Sequence, residues 1–370
     1  MIGFSFHCRT RIEFGPGCVA RAGEFASSLG GRRVMLVTDP GLVAAGHAQR
    51  VQDILIDHAE SVTVFSDVHE NPSTDDVARA VHACSQIKPD LLVALGGGST
   101  IDTAKAANLV HCNGGAIADY VGDGKATHAL LPLIAIPTTA GTGSEVQRFA
   151  LVSDAATHRK LACGDVKATP AVAMLDPQLT HSCPRMVTIY AGIDALSHAM
   201  ETAVTRTRHA MSLMCSHAAA RRLVRSLPRV LDHPDDCGAR ADVLLGATWA
   251  GLAIEHSMLG AAHACANPLT ARFGVVHGHA VGIMLPHVMR FNAADAALAE
   301  AYAAAGVGDV HRVVDDLLGK TGLALRLRDL GVTDADVPAL AADAALQWTG
   351  RHNPRPLTPD DIADLYHAAL

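Results

Sequence analysis

Asp194 and His198 stand four residues apart in Ala191-Gly-Ile-Asp-Ala-Leu-Ser-His-Ala-Met-Glu-Thr202, a spacing that puts two side chains on one face of a helix. From adjacent turns a carboxylate and an imidazole can grip one divalent cation. Far downstream, His263 and His277 offer two more imidazoles and would complete a four-ligand cage. One carboxylate with three neutral histidines leaves a bound dication with net positive charge, able to polarise an alcohol or carbonyl oxygen. The set therefore reads as catalytic rather than as scaffolding. Residue type alone carries little weight in a chain with 21 histidines, since a lone histidine in an apolar stretch is usually hydrogen-bonded core. What strengthens the joint reading is a second constellation in the other half of the chain.

There the apolar run Leu91 to Leu95 passes directly into Gly96-Gly97-Gly98-Ser99, followed by the helix-like Thr100 to Ala107. Glycines let a backbone approach closely, and free N–H groups at a helix start suit a pyrophosphate. A second loop, Pro137-Thr138-Thr139-Ala140-Gly141-Thr142-Gly143-Ser144-Glu145, follows the run ending at Ile136. Its hydroxyls and small residues could lie along a phosphate or ribose; locally it is equally a turn followed by a helix cap. Asp39, just after Val34 to Val37, stands where an acid in a dinucleotide fold binds the adenosine ribose and repels a 2′-phosphate, favouring NAD over NADP. As Asp-Pro-Gly it also makes a good turn. Gly15-Pro-Gly17-Cys-Val-Ala20 fits G-x-G-x-x-A, but no complete βαβ unit with an acid at the required offset follows, so it reads as an ordinary turn.

The elements that must position these residues follow from the hydrophobic pattern. A chain of 370 residues exceeds what one core usually supports, so two domains are expected. Val34 to Val37, Val62 to Phe65, Leu91 to Leu95 and Leu133 to Ile136 are continuously apolar or β-branched, as strands of a parallel sheet covered on both faces would be. Between them Val77, Val81 and Cys84 recur at helical spacing. Alanine-rich helical segments dominate after Asp176-Pro177, with stops expected near Pro228, Pro234, Pro268 and Pro354. The fold expectation is an α/β dinucleotide-binding domain over 1–181 and an all-helical domain over 182–370.

Composition excludes several functions. A formal charge of −7 with interspersed Lys and Arg leaves no electrostatic footprint for nucleic acid or an anionic membrane. Arg221, Arg225 and Arg229, spaced like one helix face, read as a solvated face. Nine cysteines without a Cys-x-x-Cys pair fit reduced thiols in a cytoplasm. The first ten residues have no basic region leading into an apolar run, so no export signal is expected. Val243 to Ile254 is too short to cross a bilayer and reads as a buried helix.

Taken in order, five blocks resemble the iron-containing (group III) alcohol dehydrogenases. They are Phe14-Gly-Pro-Gly17, Gly96-Gly-Gly-Ser99, Pro137 to Glu145, Gly192-Ile-Asp-Ala-Leu-Ser-His-Ala-Met-Glu201, and His263 with His277-Gly-His-Ala through Leu285-Pro-His-Val-Met-Arg-Phe-Asn292. The resemblance spans nearly the whole chain. It implies a cleft between the two domains holding the metal, Fe²⁺ by family and Zn²⁺ as an alternative, with hydride passing between the carbinol carbon and NAD rather than NADP. Asp194, His198, His263 and His277 would be the ligands, with His263 and His277 the catalytic imidazoles. Asp39, Asn71 in Glu70-Asn-Pro-Ser73, Gly97, Gly98, Ser99, Thr138, Thr139, Thr142 and Lys160 would contact the cofactor, as would Asp102 in the helix after the glycine turn. The implied substrate is a small alcohol or aldehyde, and relatives are commonly dimers or larger.

One departure concerns the proton. Many relatives carry a second histidine four residues after the first of the later pair, where this chain has Asn267 in His263-Ala-Cys-Ala-Asn267. Asparagine cannot titrate, leaving His256, His279 or bound water as alternative relays. Rival functions on the same plan are a phosphonoacetaldehyde- or lactaldehyde-type reductase, a dehydroquinate synthase-like lyase that turns over without net NADH, and a non-catalytic nucleotide-binding module.

Overall fold

The computed structural model describes residues 3–370. Met1 and Ile2, the start of the stretch read for an export signal, lie outside them. Among the described residues there are nine strands: β1 (Arg11–Phe14), β2 (Arg33–Val37), β3 (Ser61–Phe65), β4 (Leu91–Gly96), β5 (Gly122–Asp123), β6 (Leu133–Pro137), β7 (Phe149–Ser153), β8 (Lys160–Gly164) and β9 (Val172–Leu175). Among them lie α1 (Ala22–Ser28), α2 (Pro40–Ala44), α3 (His47–Ile56), α4 (Thr74–Ile87) and α5 (Gly98–Asn113). Residues 7–139 with 143–183 form one compact unit.

Its main sheet has the order β1-β9-β6-β4-β2-β3, every neighbouring pair parallel. Successive side chains alternate faces, which splits the apolar runs between two cores. Val34, Leu36, Val93, Leu95, Ile134 and Ile136 face one. Met35, Val37, Leu92, Ala94 and Ala135 face the other, where Ile101 and Ala104 of α5 and Ala80 and Cys84 of α4 pack against them. From β2 the chain moves outward to β3, then crosses back to place β4 on the other side of β2. At such a reversal the connections diverge and leave room beyond the carboxyl ends of the strands. Asp39, after β2, and the Gly96-Gly97-Gly98 turn, after β4, flank it. A smaller sheet, β5-β8-β7, has β7 and β8 antiparallel; of its strands only β7 contains a continuous apolar run of four, Phe149-Ala-Leu-Val152.

The second unit contains 184–370, residues 3–6 and residues 140–142. It is built from α6 (Arg185–Thr202), α7 (Ala210–Asp232), α8 (Cys237–Ser257), α9 (Ala261–Phe273), α10 (His277–Ala293), α11 (Ala296–Ala303), α12 (Val310–Thr321), α13 (Val337–Ala345) and α14 (Pro359–Ala369). Val243 to Ile254 lies within α8, as expected of a buried helix, and among the described residues no helix is long and apolar enough to cross a membrane. Arg221, Arg225 and Arg229 form an exposed face of α7, where Arg225 and Arg229 pair with Asp242 and Asp236.

The proline stops need correction. Pro228 lies inside α7 and Pro268 inside α9, with Pro286 likewise inside α10. An interior proline loses one N–H bond and strains the preceding turn, at about 3 kcal/mol. Buried Leu227, Val230 and Leu231 around Pro228, and Ala266 and Leu269 around Pro268, supply tertiary packing that outweighs this local penalty.

Candidate functional site

α6 carries Asp194 and His198 one turn apart, while His263 lies in the first turn of α9 and His277 is the first residue of α10. Close helix packing brings them together. A Cβ on Gly278 would stand 2.1 Å from the carbonyl oxygen of Tyr190, so the start of α10 lies against the backbone of α6 at a distance only glycine permits. That contact fixes its neighbour His277 beside Asp194.

Asp194 Oδ1 is the hub, with His198 Nε2 at 3.1 Å, His263 Nε2 at 3.4 Å and His277 Nε2 at 3.8 Å. Asp194, His263 and His277 offer ligand atoms all within 4.8 Å of one another. His198 stands at the edge of this group, its ring stacked on that of His263 with centroids 4.9 Å apart. Asp194, His198 and His263 are buried, whereas the His277 side chain keeps 27% of its surface, so the group meets solvent on the His277 side.

The donor set suits a divalent cation. Asp194 Oδ1 and His263 Nε2 are both buried and make no hydrogen bond, although they are close enough to attract electrostatically. Buried polar atoms are normally satisfied, and atoms that converge without aligning for a hydrogen bond leave a position between them for a cation. Burial alone would raise the Asp194 carboxyl, but His198, His263 and His277 hold it well below the usual carboxylate range. Burial works against a charged His263, yet the carboxylates of Glu201 and Asp194 push it up to about 9.

Glu201 is the residue that sequence reasoning missed. It accepts from His263 Nδ1 at 2.5 Å and from the Ala262 amide at 2.7 Å. Its signal was present: Asp194, His198 and Glu201 follow one another at helical spacing along one face of α6.

In the α/β unit, β4 and β6 are adjacent with Gly96 opposite Pro137, and the Thr138 amide donates to Gly96 O at 3.0 Å. The glycine turn and the threonine loop thus leave the sheet side by side. A Cβ on Gly96 would fall 2.2 Å from Thr100 Oγ1. Gly97 is the N-cap of α5 and provides no side-chain cap, while Gly98 and Ser99 open the helix. Asn71 has a positive φ of 53°, a region that asparagine tolerates better than most residues. Its amide donates to Ser99 Oγ at 3.1 Å, and Lys160 Nζ, on β8, donates to Asn71 Oδ1 at 3.2 Å. Asn71, Ser99 and Lys160 are therefore brought together. Burial lowers the Lys160 ammonium, with Asp102 and Glu70 opposing.

Asp39 caps α2 by accepting from the Leu42 amide at 3.0 Å. Thr138 is buried, Thr139 half-buried and Thr142 exposed. Asp102 turns inward: Oδ1 accepts from Ser144 Oγ at 2.5 Å and Oδ2 from the Leu151 amide at 3.1 Å. Beside it the fully buried Lys105 donates to Ser144 O, Ser144 Oγ, Gln147 O and Phe149 O at 2.6 to 3.0 Å. These two charges clamp the end of the threonine loop to α5.

The relay alternatives are placed as follows. His279 Nε2 donates to Ala324 O at 2.6 Å. His256 packs against Phe6 with ring centroids 4.4 Å apart. Asn267 Nδ2 donates to Gln347 Oε1 at 2.9 Å.

Comparison with known proteins identifies the family. Residues 9–177 match the family described as iron-containing alcohol dehydrogenase, and residues 188–370 match the C-terminal family of Fe-containing alcohol dehydrogenases. The chain is similar to alcohol dehydrogenase 4 of Schizosaccharomyces pombe, at 31% identity over 96% of this chain and 87% of that one. It is likewise similar to the NAD-dependent methanol dehydrogenase of Bacillus methanolicus, at 31% identity over 96% and 97%. Among solved structures, a 1,3-propanediol oxidoreductase superposes with a TM-score of 0.94 at 29% identity, covering both chains completely. A sulfoacetaldehyde reductase from Bifidobacterium kashiwanohense, in complex with NAD⁺, gives 0.91 at 30% identity over 100% of this chain and 99% of that one.

Proposed function

Because this chain belongs to the iron-containing alcohol dehydrogenase family, we propose that it is a metal-dependent, NAD(H)-linked oxidoreductase interconverting a small alcohol and its aldehyde. The observation that carries the reading is the convergence of Asp194, His263 and His277, with His198 alongside. A divalent cation there, Fe²⁺ by family and Zn²⁺ by donor type, would polarise the substrate oxygen so that hydride can leave the carbinol carbon for nicotinamide C4. His263 and His277 bind from separate helices and orient that oxygen. Their Nε2 atoms must be free of protons to do so.

On the cofactor side, the amides opening α5 and the close-packed glycine turn receive the pyrophosphate. Asn71, Ser99 and Lys160 act as one polar group beside it, and Thr138, Thr139 and Thr142 line the neighbouring loop. Asp39 discriminates in favour of NAD at the ribose. Asp102 supports this set through Ser144. Asn267 cannot titrate, so the hydroxyl proton leaves by bound water on the solvent-facing side of the group. A cytoplasmic homodimer or larger assembly is the setting proposed, on the unpaired cysteine pattern and the family.

The test is a panel of alcohols and aldehydes with NAD(H) and NADP(H), using anaerobically purified protein before and after chelation. NADH should form with a small alcohol, disappear on chelation and return with Fe²⁺ or Zn²⁺. Turnover without net NADH would indicate the lyase, and NAD binding without any turnover the non-catalytic module. Activity indifferent to chelation would rule out the metal.

A further inference from the structure

We propose that Glu201 is a positioning residue that holds His263 in the Nδ1–H tautomer, turning its Nε2 lone pair toward the cation. This rests on the metal reading above. Glu201 is 3% exposed, and a carboxylate that deep must be compensated. One oxygen accepts from the Ala262 amide at 2.7 Å, in the first turn of α9, where helix N–H groups favour negative charge. The other accepts from His263 Nδ1 at 2.5 Å.

A carboxylate can only accept, so Nδ1 must carry the hydrogen. Once the ring is neutral, as a ligand must be, the bare nitrogen is Nε2, 3.4 Å from Asp194 Oδ1. Two acceptors facing each other at that distance repel unless a cation lies between them. The same glutamate thus joins α6, which carries two ligands, to the first turn of α9, which carries a third. The chain entering α9 passes so close that a Cβ on Gly260 would come within 3.0 Å of Glu201 Oε1. Asn353 is a second anchor of the same turn: its Oδ1 accepts from the Ala261 amide at 3.3 Å and from Asn292 Nδ2 at 3.2 Å, and none of its hydrogen bonds is to His263.

Glu201→Gln separates positioning from simple anchoring. Its carbonyl can still accept from Ala262, but its NH₂ then faces Nδ1 and forces the ring proton onto Nε2, the ligating atom. Zn²⁺ affinity, measured by competition with a chromophoric chelator, should fall by about 10–100-fold. Asn353→Ala should lower the melting temperature of the metal-free protein while keeping Zn²⁺ affinity within about threefold of wild type, below that outer-shell range. The wild-type protein provides a reading that needs no variant: ¹⁵N-histidine spectra of the Zn²⁺ form should place the His263 hydrogen on Nδ1. An unchanged affinity in Glu201→Gln, or a hydrogen on Nε2 in wild type, overturns the inference. A wild type that takes up no Zn²⁺ would overturn the metal reading itself.

Discussion

A carboxylate surrounded by three imidazoles resists protonation for the same reason that it attracts a cation. Asp194 is held well below its ordinary range, despite complete burial, by His198, His263 and His277. Asp194→Asn keeps the shape and removes the charge, leaving neutral donors only. Its metal affinity should fall by more than the roughly 100-fold that marks the loss of an outer-shell partner, as read by metal content and titration. A variant that retained stoichiometric metal would show that the carboxylate is not a ligand. At this scale the sequence is most legible, because Asp194 and His198 need only helical periodicity to share a face. Glu201 obeys the same periodicity, but its task depends on which residue of another helix arrives opposite it.

Helix packing sets the geometry of the proposed ligands, and glycine marks where it is tightest. Gly278→Ala would force a methyl into the Tyr190 carbonyl, pushing α10 away from α6 and moving His277 with it. We expect a loss of about 1–3 kcal/mol from overpacking, with weakened metal binding. Gly319→Ala in α12, with nothing within 4 Å of the new Cβ, should instead stabilise by up to about 1 kcal/mol. Thermal melts and metal titrations of the pair decide whether the helix contact matters.

In the α/β unit, Ser73 and Asp76 form a capping box at the start of α4, just after Asn71. Burial would raise the Asp76 carboxyl, but hydrogen bonds from Ser73 and His69 and the charge of Arg79 bring it down to about 2. A depressed carboxyl contributes stability above its unfolded value of 3.8 and loses it as the pH falls through about 2. Asp76→Asn should therefore cost about 1 kcal/mol at neutral pH, with the gap to wild type closing in acid below about pH 4. A gap that stayed constant would assign the effect to shape rather than charge. Element type was readable for long apolar runs and periodic helices. The strand β5 has two residues and β8 begins with a lysine, so the apolar run of β7 alone does not reveal the sheet, which rests on non-local pairing.

On the proposed function, NAD⁺ and the metal should protect different segments of the chain. A ligand at about a hundred times its dissociation constant adds about 2.7 kcal/mol to the state that binds it. Hydrogen exchange should show NAD⁺ slowing amides of the β4–α5 turn and the 138–139 loop, and Zn²⁺ slowing those of α6, α9 and α10. Protection by NAD⁺ without any slowing at the glycine turn would remove that turn from the cofactor site.

Local order was thus written in the chain itself. Continuous apolar runs required strands covered on both faces, alanine-rich periodicity required packed helices, and the four-residue spacing of Asp194 and His198 required a shared face. These depend on backbone periods of two and 3.6 residues, which any stretch of sequence displays. Tertiary structure decided what periodicity cannot reach: that Pro228 and Pro268 sit inside helices because surrounding packing outweighs a lost hydrogen bond, that Asp102 turns inward to Ser144, and that Glu201 meets His263 across 62 residues. Each is a contact between segments far apart in the chain, and its energy exists only once the core has closed around it.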